Sequence, residues 1–255
     1  MYRMFLCLVV LLLSITPIWA QSPDSLKSWQ LSTKESFNLS QSSFTNWVAG
    51  GENTVAWTIL SSSFANYEKG KTRWSNALDM AYGMSKIGGK PFRKTDDKLI
   101  FVSKLSYGKS DKLKYSALLD FRTQFAPGYK YPDDTTEVLT SKFLSPGYGI
   151  LGLGLDYTPI KNLYVFYSPL TAKITIVNHQ PFADAGEFGV KAAEKDSAGN
   201  IITPGKKIRF EPGGYLTAKY SRDLTENLAM QTNLNLFHAY IVQDATTQKH
   251  DLTGI

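Results

Sequence analysis

Leu228-Ala229-Met230-Gln231-Thr232-Asn233-Leu234-Asn235-Leu236 is the stretch from which the fold is read. In an extended chain Leu228, Met230, Thr232, Leu234 and Leu236 fall on one side, and Ala229, Gln231, Asn233 and Asn235 on the other. Successive side chains of a strand point to opposite faces, so a period of two marks a strand with one apolar face. The pattern continues to Tyr240, with His238 as the exception on the apolar side. It recurs after Trp74, where Leu78, Met80, Tyr82 and Met84 oppose Ser75, Ala77, Asp79, Ala81, Gly83 and Ser85. Tyr115, Ala117, Leu119, Phe121 and Phe125 oppose Ser116, Asp120, Arg122 and Gln124. Leu151, Leu153, Leu155 and Tyr157 oppose Gly152, Gly154 and Asp156.

Extended outward, this reading gives nine strands, at 29–42, 53–67, 72–86, 97–109, 114–126, 147–157, 162–176, 207–221 and 228–242. Most are eleven residues or longer. Strands of soluble proteins run to about five or six residues, whereas a tilted membrane-spanning strand needs about nine to eleven. The connections 69–71, 111–113, 158–161 and 223–227 are short, and alternate with the longer 43–52, 87–96, 127–146 and 177–206. Short turns at one end and long loops at the other are the arrangement of outer-membrane barrels. The expected fold class is therefore all-β: an up-and-down antiparallel transmembrane β-barrel. Nine strands are visible. Because single-chain bacterial barrels hold an even number, ten or twelve are expected in the complete protein, with continuation beyond Ile255.

The N-terminus assigns the compartment. Arg3 precedes an unbroken apolar run from Phe5 to Leu13, and Pro17-Ile18-Trp19-Ala20 leads to Gln21. A run this short is a secretory signal core rather than a spanning helix. Residues 1–20 are thus expected to be a cleaved signal peptide, and residues 21–255 the barrel domain. The sole cysteine, Cys7, lies in the signal segment, which leaves disulfides, thiolate metal sites and a catalytic thiol without a residue to form them. The remaining chain carries 27 basic and 22 acidic side chains, a formal charge of +5. The excess is scattered, with no basic cluster interleaved with stacking aromatics, so nucleic acid is not an expected partner. The 13% aromatic content suits sheet faces and membrane-interface girdles.

Several segments together resemble a family. They are Asn46-Trp47-Val48-Ala49-Gly50-Gly51-Glu52-Asn53, Phe125-Ala126-Pro127-Gly128-Tyr129 with Tyr131-Pro132-Asp133-Asp134, Ser168-Pro169-Leu170-Thr171, and Asp184-Ala185-Gly186-Glu187-Phe188-Gly189-Val190. Across about residues 30–243 the chain is similar to an uncharacterised Bacteroidetes family known only as a domain of unknown function. The resemblance implies an outer-membrane location and a longer complete chain. It implies no reaction, ligand or functional residue.

Candidate sites follow from the alternation. Asp79, Lys104, Asp120, Arg122, Lys173 and Lys219 are expected to line the lumen, where charges either set solute selectivity or pair with one another and fill the barrel. Trp47, Gly50, Gly51, Asp133 and Asp134 form an extracellular-loop motif, read either as a binding platform or as loop architecture with an interface anchor. Asp96-Asp97 and Asp133-Asp134 offer paired carboxylates for a divalent cation, but calcium needs more oxygen ligands than either pair supplies. His179, His238 and His250 lack a nucleophile motif. The segment 177–206 is long enough to plug the interior or to project from it, with 195–200 and 204–205 as a mobile tip.

The leading expectation is a non-enzymatic outer-membrane protein, either a narrow solute channel or a structural and interaction barrel. A barrel enzyme acting on envelope lipid and a soluble periplasmic carrier are the alternatives. No cofactor and no metal site are expected. The expected partners are outer-membrane lipid and lipopolysaccharide, with an envelope protein as a further candidate.

Overall fold

The computed structural model describes residues 28–46, 48–108, 110 and 112–241. The expected signal peptide, Trp47, His250 and the end of the ninth expected strand lie outside the described residues.

Nine long strands form one antiparallel sheet. They are β1 (Trp29–Ser42), β2 (Thr54–Lys69), β3 (Thr72–Ile87), β4 (Arg93–Tyr107), β5 (Leu113–Thr123), β8 (Gly147–Ile160), β9 (Leu163–Ile176), β12 (Ile208–Thr225) and β13 (Leu228–Ala239). Each lies beside its neighbours in sequence, so the sheet is a meander with β1 and β13 at its edges. These edges do not pair with one another among the described residues. The four short strands are β6 (Gly128–Lys130) with β7 (Val138–Ser141), and β10 (Glu194–Lys195) with β11 (Ile201–Thr203), two small hairpins inside the longest connections. A single helical turn, α1 (Gln180–Asp184), precedes the second hairpin.

The expected boundaries shift in two informative places. β4 begins at Arg93 rather than 97, because pairing with β3 passes a bulge at Gly83/Met84 and continues to Arg93 opposite Ser85. That leaves 88–92 as the connection, no longer than the stretch 108–112 between β4 and β5 at the other end. The regular alternation of long and short connections therefore fails at this pair. The two longest connections are also more than loops, since both contain secondary structure.

Directly paired residues share a face of a sheet. Ser62 pairs with Asp79, Asp79 with Ile100, Ile100 with Arg122, Arg122 with Tyr148, Tyr148 with Thr175, and Thr175 with Arg209. On this face lie most of the buried polar side chains of the sheet, among them Ser106, Ser116, Asp120, Thr171, Thr175, Glu211 and Thr217, while Thr123 and Asp97 are buried on the other face, at its end beside the long connections. Thr175 is 2% exposed and Ser116 6%. The opposite face carries Leu31, Tyr115 and Leu170, exposed at 70%, 73% and 69%. This is the inverse of a water-soluble sheet, which buries its apolar face.

The polar face is the concave one. Lys104 on β4 hydrogen-bonds the Tyr164 hydroxyl on β9, although β5 and β8 lie between. On a flat sheet three strand spacings would hold their backbones roughly 14 Å apart, and side chains standing off such a surface would run side by side without meeting. Lys173 on β9 likewise sits 5.4 Å from the ring centre of Phe237 on β13, across β12. The sheet thus curls with its polar side chains inward.

A bulge sharpens that curl. Leu153 pairs with Leu170 and Leu155 with Tyr167, so three steps of β9 oppose two of β8. The extra residue falls within Ser168-Pro169-Leu170. Proline cannot donate to a ladder and is tolerated inside a sheet only at such a defect. Ser168 is fully buried, and its Oγ lies 3.0 Å from Leu153 O and 3.1 Å from Leu170 O. The Tyr240 hydroxyl donates to Pro169 O at 2.8 Å. Gly154 stands opposite the bulge, where a Cβ would collide with the Tyr167 carbonyl.

Candidate functional site

The concave face holds the chemistry of the sheet, and Asp156 is its hub. Asp156 Oδ1 accepts from the Tyr164 hydroxyl at 2.6 Å and from Lys104 Nζ, while Oδ2 accepts from Ser106 Oγ at 2.7 Å and from Ser116 Oγ. The four donors come from β4, β5 and β9, which converge because the register puts them on one face. Lys104 Nζ also lies 4.0 Å from the ring centre of Phe166, which is fully buried. A buried carboxylate is costly unless its lone pairs are met, and here each oxygen is met twice.

The neighbouring charges are paired along their own strands, where residues two apart share a face. Arg122 Nε and Nη2 each donate to Asp120 at 2.8 Å, a bidentate pair. Arg209 Nη2 donates to Glu211 at 2.7 Å. Asp79 accepts from Ser62 Oγ at 2.6 Å. Lys173 and Lys219 lie on the same face and have no carboxylate partner within ion-pair distance among the described residues. All six residues singled out from the sequence therefore share one face, but Lys104, Asp120, Arg122 and Asp79 are engaged with protein partners. Sequence reading missed Asp156, Tyr164, Arg209 and Glu211. Asp156 had a visible signal, since it alternates with Leu155 and Tyr157, yet no pattern in one strand says which strand supplies its partner.

The end of the sheet that bears the two longest connections is built as a folded cap. Asp97 accepts from Phe125 N, Ala126 N and Lys94 Nζ at 2.8, 2.9 and 2.6 Å, which ties the start of the 124–146 connection to β4. Val177, Ala183 and Val190 form a small buried cluster, packed by Phe182 and Phe188. Asp184 accepts from Gly205 N at 2.7 Å and Gln180 Nε2 at 2.6 Å, and these donors hold its carboxyl below the usual aspartate range. His179 N donates to the fully buried Ser145 Oγ at 2.9 Å, and Asn178 N to Leu144 O at 2.8 Å, joining the two long connections. At the expected mobile tip, Asp196 Oδ1 accepts from Ala198 N and Asn200 N at 2.9 and 2.8 Å, closing a turn between β10 and β11.

The loop motif resolves into turn chemistry. Gly50 and Gly51 have φ of +80° and +137°, and Gly51 packs under the Phe44 ring. Asp133 Oδ1 accepts from Thr136 N at 2.7 Å and from Thr135 N and Oγ1 at 2.8 Å. The Thr136 and Thr135 donors hold its carboxyl down to about 2. Asp134 sits 2.9 Å from Lys90 Nζ and 3.6 Å from Arg93 Nη2, and the Lys90 ammonium lowers it. Both carboxylates are engaged within the protein. Among the described residues no group of three or more His, Asp or Glu side chains is placed to hold a metal.

Among the described residues, neither His179 nor His238 has its ring hydrogen-bonded to a serine hydroxyl or a carboxylate. His238 pairs with Gly214 on the apolar face, beside the Tyr240 ring. The His179 ring stacks edgewise on Phe182 at 4.7 Å, and its buried Nδ1 has no hydrogen-bond partner. Burial, with Lys142 and Lys207 nearby, pushes its pKa below the usual value.

A family model described as protein of unknown function (DUF3078) matches residues 39–129. The match takes in the Asn46–Asn53 and Phe125–Tyr129 segments and is narrower than the resemblance read from the sequence. No curated protein and no solved structure matches the chain.

Proposed function

We propose that the chain is a non-enzymatic outer-membrane β-barrel whose convex apolar face meets lipid, whose polar interior is braced by ion pairs, and whose cap is an interaction surface. The observation that carries this reading is the inversion of the two faces: buried hydroxyls and carboxylates on the concave side, exposed leucines and aromatics on the convex side. A lipid-facing barrel requires that polarity. Closure of such a sheet leaves no unpaired strand edge in hydrocarbon.

Aromatic placement supports the same reading. On the convex face Trp29 packs against Tyr67 and Trp74 at 5.2 and 5.7 Å between ring centres, and Trp57 against Tyr82 at 5.9 Å. Tyr67 and Trp57 are ten residues apart on β2. At about 3.3 Å per residue that is roughly 33 Å along the strand. With a strand tilt of about 40° it becomes roughly 25 Å of height, the thickness of the apolar band between two aromatic girdles. The partners implied are membrane lipid and lipopolysaccharide around the barrel.

The pairing of Lys104, Asp120, Arg122 and Arg209 within the interior favours a structural and interaction barrel. The second reading, a narrow solute channel, is favoured by Lys173 and Lys219, which face the interior without a carboxylate partner among the described residues. Fractionation with heat-modifiability on a gel tests the membrane reading. The complete protein is expected in the outer-membrane fraction, migrating differently before and after boiling. Recovery in the soluble fraction overturns it. Planar-bilayer conductance then separates the two roles: a silent bilayer supports the interaction barrel, and discrete conductance steps that change with Lys173→Glu support the channel.

A further inference from the structure

The aromatic row near the short-turn end of the convex face has a gap. Trp29 pairs with Tyr67, Tyr67 with Trp74, Trp74 with Leu105, Leu105 with Ala117, and Ala117 with Leu153. Three rings in succession thus give way to a leucine and then to an alanine on β5. The next row toward the turns is bulky again, with Tyr107 opposite Tyr115, Tyr115 opposite Leu155, and Leu155 opposite Tyr167. Between these side chains lies a groove of about 520 Å³ with Ala117 as its floor. Leu105 and Tyr107 wall it on β4 and Leu153 and Leu155 on β8, two strand spacings or roughly 10 Å apart. Tyr167 extends it onto β9.

The turns just beyond the groove are basic. Gly108 N donates to Lys71 O at 3.0 Å and Thr158 N to Lys112 O at 2.8 Å, so the turns after β2, β4 and β8 stand side by side. They present Lys69, Lys71, Lys112 and Lys161, all exposed, and none has a carboxylate within ion-pair distance among the described residues. Glu68, beside them, is taken by Arg73 at 2.7 Å. The turn after β12 follows, where Ser221 N donates to Asn162 O at 3.0 Å, and it carries Asp223 and Glu226. The basic arc therefore ends at Lys161, over the strands that wall the groove. Lys112 is five residues from Ala117. That is roughly 16 Å along the strand and, at a tilt of about 40°, roughly 13 Å in height. The ammonium groups thus reach headgroup level when the groove lies in hydrocarbon, and Tyr107 and Tyr115 stand at the boundary, where amphipathic rings are suited.

We propose that the groove and the lysine arc together hold one anionic glycerophospholipid, a site that rests on the membrane barrel proposed above. An acyl chain lies over Ala117 between the β4 and β8 walls, and the headgroup phosphate meets Lys112 and Lys161 through charge-assisted hydrogen bonds. The two halves of the site select different things. The groove takes any chain that fills it, whereas the lysines favour a headgroup of net negative charge over a zwitterionic one. The short-turn end of such a barrel faces the periplasm, the leaflet of phospholipid rather than lipopolysaccharide. A protein segment fits less well, because the groove offers a strand of a partner no polar group to fix its register.

The test is native mass spectrometry of the complete protein, released from nanodiscs of equal parts phosphatidylglycerol and phosphatidylethanolamine. One phosphatidylglycerol is expected to stay bound per chain while phosphatidylethanolamine is shed. Lys112→Gln and Lys161→Gln are each expected to lower that retention roughly fivefold, the effect of one lysine near an anionic headgroup. Ala117→Trp completes the aromatic row and fills the groove without touching the lysines, and is expected to abolish retention. Leu234→Trp, on the same face of β13, is the control and should retain the lipid as the parent does. All four variants should keep the heat-dependent gel shift. Equal retention of the two lipids, retention unchanged in Ala117→Trp or in both lysine variants, or lipopolysaccharide as the retained molecule in protein taken from native membranes would overturn the proposal. Loss of the heat-dependent shift in the parent protein would instead overturn the membrane reading itself.

Discussion

Lys104 and Asp156 form an ion pair across β5, with only 18% and 13% of their side chains exposed. The pair binds the two sides of a sharply curved sheet through its interior. It also joins β4 to β9 through Tyr164, so one carboxylate fixes the relative placement of four strands. Side chains shared this way resist collapse or opening of the curl in a manner that main-chain pairing between neighbours does not.

Removing the hub should therefore cost more than removing the whole pair. Asp156→Ala leaves the Lys104 ammonium buried and strips the acceptor from Tyr164, Ser106 and Ser116. Breaking a buried pair on one side costs about 3–5 kcal/mol, whereas replacing both partners by apolar groups is often neutral. The double variant Lys104→Met, Asp156→Leu is expected to unfold at a urea concentration closer to the parent than Asp156→Ala does. Equal midpoints for the two would show that the pair does not brace the sheet.

Glycines on β8 provide a contrast that isolates the bulge. At Gly154 an added methyl meets the Tyr167 carbonyl and the Ser168 backbone, neither of which can move without breaking the bulge. At Gly149 the same methyl makes ordinary contact with Ile174, at 3.7 Å. Gly154→Ala is expected to lose about 1–3 kcal/mol or more through overpacking, and Gly149→Ala to stay near the parent. Thermal loss of the gel shift measures both.

The alternation of leucine with asparagine in β13 and with glycine in β8 made the nine strands and their faces legible, to within a few residues at most ends. What the sequence hid has physical causes. Arg93-Lys94-Thr95-Asp96 is polar at every position, so no period announces that β4 has begun. The bulge at Ser168-Pro169-Leu170 shifts the phase of β9 by one residue, which a strand read in isolation cannot reveal. The strands β10 and β11 are too short to show a period at all. Asp156 was visible as an inward residue, but its role depends on Lys104 and Tyr164, brought to it only by the curl.

The turn at Asp133 should be resistant to acid. Its carboxyl is lowered to about 2 from an ordinary 3.8 by the Thr136 and Thr135 donors. A depressed carboxyl stabilises the turn above its ordinary value and loses that contribution as pH falls through the folded one. The Thr135 and Thr136 amides are expected to keep their hydrogen-bonded chemical shifts at pH 4 and lose them as pH approaches 2. In Asp133→Ala they should exchange fast at every pH. Amide exchange that is already fast at pH 4 in the parent would contradict the geometry of the turn.

The cap should come loose without the sheet. Asp184 draws Gly205 N and Gln180 to one carboxylate, closing the segment between α1 and β12 over the Val177, Ala183 and Val190 cluster. None of these bonds reaches a main-sheet strand, and the cap's anchors to Ser145 and Leu144 come from His179 and Asn178 instead. Asp184→Ala is therefore expected to raise protease cleavage within 191–206 and to leave the heat-dependent gel shift in place. If the cap binds an envelope partner, capture of that partner should fall in the same variant. An unchanged cleavage pattern would mean that the small apolar cluster holds the cap by itself, and Ala183→Asp, which places a charge in that cluster, would then be the change that opens it.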